Sequence, residues 1–389
     1  MAEYTITLVK EKRSFKSNET LTLLDALIRA GAAPDAPCGG HGTCGKCLVL
    51  VESEKYNGVQ KACQIHTDCD MKVDTSLKAT GHSLLTTGVE RKIPIMPMIQ
   101  HVLVKGERCA IGRSDSEWEL LKQALSAATG RPQSGFTASP AVISSIYKFM
   151  EDHGREAEVI LCKDRVLALT EKRTKCYLAA FDIGTTSVVG YLLDSVDGKQ
   201  LAVTSRLNPQ SQFGADVIAR SDHVLQNGSG DELARCIRQA LDEMLGELAA
   251  KAGIARTEIY QIAVVGNTCM HHLFLNISPA SLVHAPYNPA VRENIMAKAS
   301  DLNLKIHPEG TVLMLSNIAG FVGADTVGCL IACDMEHREK MTLMIDIGTN
   351  GEMVLGNKNR MITCSTAAGP AFEGAKIACG MRGAKGAVD

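Results

Sequence analysis

The chain has 389 residues, 45% of them hydrophobic and 22% charged, with a formal net charge of -2. That length predicts two or three domains with real cores, and the near-neutral balance carries no nucleic-acid or anionic-membrane footprint. No apolar run approaches the roughly 18 residues that span a bilayer, and the N-terminus lacks the order of a signal peptide, so the expectation is a cytoplasmic protein with no membrane and no nucleic-acid partner.

The first elements read as a small strand-rich domain. Tyr4, Ile6 and Leu8 alternate with polar residues and predict a half-buried strand, with Phe15 in the second strand of a hairpin. Asn18 or Thr20 is expected to cap a helix over Leu21–Ala30, closed by Gly31. Pro34 and Pro37 then extend the chain into Cys38-Gly-Gly-His-Gly-Thr-Cys44-Gly-Lys-Cys47. Five and then two residues separate these cysteines, and the glycines let several thiolates converge on one inorganic centre. Zinc boxes favour two Cys-x-x-Cys pairs, so this spacing reads as iron–sulfur. It resembles adrenodoxin-like 2Fe-2S ferredoxins more than plant-type ones. Cys63 is the favoured fourth ligand and Cys69 competes with it. Strands at Leu48–Val51 and Met71–Val73 complete a β-grasp order. Fourteen cysteines without a signal peptide point to metal ligation plus dispersed buried thiols.

From about residue 82 the texture becomes that of a connector, and a small mixed domain follows. Helices are expected from Asp115 through Trp118, Leu121 and Leu125, and from Pro140 through Ile143, Ile146 and Phe149. Val159–Leu161 and Val166–Leu169 predict a hairpin. No chemistry is written in this part.

The remainder carries a repeat. Asp182-Ile-Gly184-Thr185-Thr186 and Asp346-Ile-Gly348-Thr349-Asn350-Gly351 each sit between two apolar strand-like runs, which predicts two halves of a duplicated fold. Glycine lets the backbone approach an oxyanion, successive N–H groups form an anion nest, and the threonine hydroxyl adds a donor. An aspartate at the strand end is suited to Mg²⁺. A Walker loop is excluded, since that needs Gly-x4-Gly-Lys and a following helix. Two such turns imply a nucleotide held between two lobes, with Asp182 and Asp346 as candidate catalytic residues and Glu352 positioned to orient a water. Gly369, in the small-residue loop after Thr366, is expected to pass under the nucleotide. Between the turns, a helix over Glu232–Ala250 and strands at Ile262–Val265 and Val312–Leu315 are expected. Gly266-Asn267-Thr268-Cys269-Met270-His271-His272 follows a strand and opens a helix, with one histidine expected buried and the other exposed. Asp325 reads as a helix N-cap with a catalytic alternative, and Cys329 and Cys333 as core.

Taken together, these motifs resemble the reductive activators of corrinoid proteins. The resemblance spans nearly the whole chain, from the cysteine box through Gly266–His272 to Ala367-Ala-Gly-Pro-Ala-Phe-Glu-Gly-Ala375. It implies a multidomain α/β and α+β fold: a β-grasp 2Fe-2S ferredoxin domain (1–81), a linker (82–93), a small α/β middle domain (94–176) and an actin-like, ribonuclease H-like duplicated ATPase domain (177–389). The last is expected to be incomplete at its C-terminus. The resemblance also implies a 2Fe-2S cluster on Cys38, Cys44, Cys47 and Cys63, ATP and Mg²⁺ at the paired turns, and an upstream low-potential electron donor. The implied reaction is ATP-driven one-electron reduction of Co(II) to Co(I) in a corrinoid protein of a methyltransferase system. The rival readings are a 2Fe-2S electron carrier with an ATP-sensing domain that does not hydrolyse, or a non-catalytic partner-binding fragment.

Overall fold

A computed structural model of the chain describes residues 3–34, 36, 40, 42, 47–75, 95–109, 111–112, 114–172, 174–348 and 350–366. The first sheet comprises β1 (Glu3–Leu8), β2 (Arg13–Asn18), β3 (Leu48–Ser53), β4 (Asn57–Lys61) and β5 (Met71–Asp74), in the order β2-β1-β5-β3-β4. β1 runs parallel to β5 and antiparallel to β2. Alternation along β1 and β3 puts Ile6, Leu8, Val49 and Val51 on the face covered by α1 (Leu23–Arg29). The cap of α1 is Thr22, in a reciprocal capping box with Asp25, and not Asn18 or Thr20. Asn18 ends β2 and takes up Thr20 in a local turn, so the helix starts only where a side chain can reach the N3 amide.

The second sheet holds β6 (Ile99–Lys105), β7 (Thr137–Ala138), β8 (Glu156–Cys162) and β9 (Arg165–Thr170), in the order β6-β8-β9-β7. Two helices cover one face: α2 (Glu117–Thr129), capped by Ser116, and α3 (Pro140–Asp152), capped by Ser139 with proline in its first turn. The opposite face, with Ile99, Ile160 and Leu167, packs on Tyr260 and Leu178 of the next sheet in a shared apolar cluster.

That third sheet has six strands: β10 (Tyr177–Ile183), β11 (Ser187–Asp194), β12 (Gln200–Leu207), β13 (Ile259–Gly266), β14 (Ile295–Lys298) and β15 (Thr311–Met314), in the order β12-β11-β10-β13-β15-β14. α4 (Val217–Asn227) and α5 (Asp231–Ala252) follow β12, and α6 (Thr268–Leu275) and α7 (Ala280–Val283) follow β13. α5 buries Leu233, Ile237, Leu241, Leu245 and Leu248 at helical spacing against the sheet. At about 1.5–3 kcal/mol per buried leucine-sized side chain, this stripe anchors the lobe.

α8 (Ala324–Ala332) leads to a final antiparallel sheet of β16 (Thr342–Ile347), β17 (Gly351–Asn357) and β18 (Arg360–Thr366). Both Asp-Ile-Gly repeats thus fall at strand-turn-strand hairpins, β10–β11 and β16–β17. Among the described residues no helix is long and apolar enough to cross a membrane.

Candidate functional site

Two sites emerge, one for thiols and one for carboxylates. Cys47 lies immediately before β3, and Cys63 lies in the 3-10 turn Ala62–Gln64 that follows β4. The β3–β4 ladder brings the two together: the Ala62 N–H donates to the Cys47 carbonyl at 2.7 Å, and the two Sγ atoms are 3.2 Å apart. That is far longer than the ~2.05 Å of a disulfide. It approaches the roughly 3.8 Å between two thiolates on a tetrahedral metal with ~2.3 Å bonds. The Cys63 N–H also points at Cys47 Sγ, at 3.5 Å. Cys69 belongs to the same buried cluster as Cys47, but no thiol contact joins it to Cys47 or Cys63 among the described residues. Gly40 and Gly42 adopt left-handed backbone, as a tight box requires. Cys38 and Cys44 lie outside the described residues. The donor chemistry and the converging pair fit an iron–sulfur centre.

The second site gathers carboxylates from both lobes. Asp182 is the penultimate residue of β10, Asp325 lies in the first turn of α8, and Asp346 and Glu352 face each other across β16–β17. Burial, then the charges of Asp325 and Asp346, pushes Asp182 up to about 7. Asp182 is itself exposed to solvent. Asp325 rises to about 6 through burial and the Asp346 charge, opposed by hydrogen bonding from Thr326. Glu352 rises to about 7 through burial and the charges of Asp325 and Asp346, opposed by the Ser365 hydroxyl, which donates to its Oε1 at 3.1 Å. Burial and the same carboxylates push the Cys329 thiol up to about 12. Among the described residues, every charge that shifts Asp182, Asp325 and Glu352 is another carboxylate. A divalent cation relieves such repulsion, and a carboxylate near 7 is poised for general-base work.

The first turn is held from several sides. A side chain at Gly184 would meet the Ser187 carbonyl at 2.7 Å, so only glycine closes this hairpin. Asn267, the cap of α6, accepts from the Met270 N–H and donates through Nδ2 to Thr185 Oγ1 at 2.9 Å. The Thr185 hydroxyl therefore keeps its own proton to donate. Asn208 Nδ2 donates to the Gly184 carbonyl at 2.7 Å, and Asn208 N–H to the Thr186 carbonyl at 2.8 Å. In the second turn, Gly348 N–H donates to the Asn350 carbonyl at 2.9 Å, and Gly351 opens β17. A small crevice is lined by Ser221, Asn267, Thr268 and Phe321 together with Asn350 of the second turn, so the two lobes meet there. Thr349 and Gly369 lie outside the described residues.

Several expectations need correction. Asp325 is not an N-cap; Gly323 holds that position, which frees the Asp325 carboxylate to face the cleft. His271 and His272 are both fully buried, because α6 is enclosed by β13, α4 and α5. Cys329 is only partly core: its thiol reaches Asp346 Oδ2 at 3.7 Å. Asn208 and Arg220 carry no recognisable sequence signal, and only the folded chain brings them to the turn.

Similarity to known proteins agrees with this architecture. Residues 6–73 match the family described as 2Fe-2S iron-sulfur cluster binding domain, residues 177–338 the RACo middle region, and residues 340–389 the C-terminal domain of RACo, the ASKHA domain. The corrinoid activation enzyme RamQ of Eubacterium limosum is 36% identical over 386 residues, covering 96% of this chain and 62% of that protein. A [Co(II) methylated amine-specific corrinoid protein] reductase of Methanosarcina barkeri is 27% identical over 223 residues, covering 54% of this chain and 40% of that protein. A solved structure of a reductive activator for corrinoid,iron-sulfur protein superposes with a TM-score of 0.69 at 28% identity, covering 98% of this chain and 65% of that one. The chain thus spans less than two thirds of the length of each of these proteins. Its three matched regions occur in one order along one chain: a 2Fe-2S binding domain, then the RACo middle region, then the RACo C-terminal ASKHA domain.

Proposed function

We propose that the protein is an ATP-dependent electron injector that reduces Co(II) to Co(I) in a corrinoid protein of a methyltransferase system. The observation that carries this reading is the union, in one chain, of a converging thiol pair with a carboxylate cleft built from two Asp-Ile-Gly hairpins. The names of the relatives point the same way. In this reading Cys38, Cys44, Cys47 and Cys63 hold a 2Fe-2S cluster, which supplies low-potential one-electron chemistry. Asp182 with Gly184–Thr186, and Asp346 with Gly348–Gly351 and Gly369, take Mg²⁺ and the phosphates of ATP. Glu352, with its carboxyl near 7, orients or deprotonates the attacking water. An upstream low-potential donor loads the electron, and the setting is the cytoplasm. The ferredoxin domain (1–81), linker (82–93), middle domain (94–176) and ATPase domain (177–389) are the working divisions.

ATP is needed because the onward step runs uphill. A corrinoid couple about 100 mV below the cluster disfavours the transfer roughly fifty-fold, at about 59 mV per decade. A nucleotide shifts that equilibrium only through unequal affinity for two states of the complex. The test is to mix the reduced protein with a Co(II) corrinoid protein, with and without MgATP, and follow the cobalt spectrum. Co(I) is expected only with MgATP. Equal reduction without it overturns the injector and leaves a plain electron carrier.

A further inference from the structure

The first hairpin turn, Gly184–Thr186, is gripped from behind at three successive carbonyls. Gly184 O accepts from Asn208 Nδ2 at 2.7 Å, Thr185 O from Arg220 Nη2 at 2.6 Å and Thr186 O from Asn208 N at 2.8 Å. Both donor residues are fully buried, at 0% exposure. Asn208 precedes the 3-10 turn after β12, and Arg220 projects from α4. Neither belongs to the turn or to the carboxylate cleft.

The peptides of the turn are trans. In a planar trans peptide the carbonyl of one residue and the N–H of the next point in opposite directions. With the Gly184 and Thr185 carbonyls drawn into the interior, the N–H groups of Thr185 and Thr186 are turned outward, side by side. Adjacent N–H groups so arranged form an anion-binding nest.

Arg220 is a costly way to hold a turn unless its charge and fork are used. Its Nε donates to Gly214 O at 3.0 Å and its Nη1 contacts Met270 Sδ at 3.2 Å, so backbone carbonyls and a thioether surround the guanidinium. Burying a cation without a carboxylate partner is strongly disfavoured, and an apolar residue of similar volume fills such a space more favourably. The planar fork, however, engages Gly214 O and Thr185 O at once, which fixes the turn against α4. The second hairpin is held differently: Gly348 N–H is spent on Asn350 O within its own turn.

We propose that Asn208 and Arg220 are positioning residues that preset the peptide planes of Gly184–Thr186, so that the outward N–H pair receives a phosphate group of the nucleotide. The proposal rests on the nucleotide reading of the cleft. MgATP binding to the purified chain, measured by titration calorimetry for the unaltered protein, Arg220→Met, Arg220→Lys and Asn208→Asp, tests it. Melting curves and the visible cluster absorbance are followed alongside.

Arg220→Met and Asn208→Asp are expected to weaken MgATP by about tenfold or more, the worth of one buried hydrogen bond to a charged group. The cluster spectrum should stay unaltered. Arg220→Lys keeps the charge but not the fork, and should fall between. MgATP affinity within about twofold of the unaltered chain in Arg220→Met and Asn208→Asp overturns the proposal and leaves both residues as packing. If Arg220→Met does not fold, Arg220→Lys decides: weakened binding at unchanged melting supports the proposal, and unchanged binding overturns it. No binding by the unaltered chain overturns the nucleotide reading itself, and the proposal with it.

Discussion

His271 shows how a single side chain ties stability to pH. It is fully buried on α6, and neither ring nitrogen has a hydrogen-bond partner among the described residues. Burial, and then the neighbouring His272, lowers its pKa from 6.5 to about 4. The unfolded chain therefore takes up the proton first. The stability linked to this ring is fully present above about pH 6.5 and is lost as pH falls through that value toward 4. A shift of this size corresponds to about 3 kcal/mol at the acid end. His271→Leu removes both the acid linkage and two unpaired buried nitrogens, so it should match or exceed the unaltered chain at pH 7.5 by up to about 3 kcal/mol. Denaturant unfolding followed by circular dichroism at pH 7.5 and 5 checks this. The fall in stability between those values should be shallower in the variant by about one proton, with His307, also depressed to about 4 by burial, still contributing. An identical fall in both proteins would place the linkage elsewhere.

At the scale of elements, the 3-10 turn Ala62–Gln64 decides which cysteine stands beside Cys47. The β3–β4 ladder pairs Leu48 with Lys61, and this register delivers Cys63 Sγ to within 3.2 Å of Cys47 Sγ, a contact Cys69 does not make among the described residues. Cys63→Ala should therefore abolish the visible iron–sulfur absorbance of the reconstituted protein, and Cys69→Ala should keep it at the expense of a small core defect. The reverse pattern would refute the assignment. The same domain shows what a sequence reveals. Strands β1, β3 and β5 are legible because apolar residues alternate, and α5 because its leucines recur at helical spacing. β4, with the sequence Asn-Gly-Val-Gln-Lys, has no such pattern and exists because β3 offers it an edge. The two Asp-Ile-Gly hairpins are legible as motifs because the tetrapeptide repeats between strand-like runs, although close backbone approach demands glycine only at Gly184. Asp325 is legible only as an acidic residue at a helix start, where capping is the ordinary role; its carboxylate matters because α8 packs beside β16–β17. Arg220 is illegible for the opposite reason. An arginine on an amphipathic helix reads as solvated, and only the carbonyls of Thr185 and Gly214 explain its burial.

Across the whole molecule, the four-stranded sheet is fused to the six-stranded one, and this limits where movement can occur. Ile99, Ile160 and Leu167 share one apolar cluster with Tyr260 and Leu178. Beside it, the buried Glu309 of the six-stranded lobe accepts from the Ser139 hydroxyl at 2.9 Å and from Arg165 and Lys298. Ser139 and Arg165 come from the four-stranded domain, so one carboxylate joins a helix cap, a strand and the neighbouring lobe. Burial alone would raise this carboxyl; donation from Ser139, Lys298 and Arg165 outweighs it and holds the pKa below its ordinary value. On the nucleotide reading proposed above, closure is expected between this fused body and the β16–β18 lobe, because opening the other seam would strand a buried carboxylate and expose an apolar core. Glu309→Ala should lower the stability of the fused body by about 1–3 kcal/mol, the cost of unpaired buried polar groups. Calorimetry should show the two sheets melting together in the unaltered chain and at a lower temperature, or as two separated transitions, in the variant. The ferredoxin-like sheet, read through its visible absorbance, should melt as before. A variant that melts like the unaltered chain would mean that the apolar cluster alone holds the seam, and that Glu309 merely decorates it.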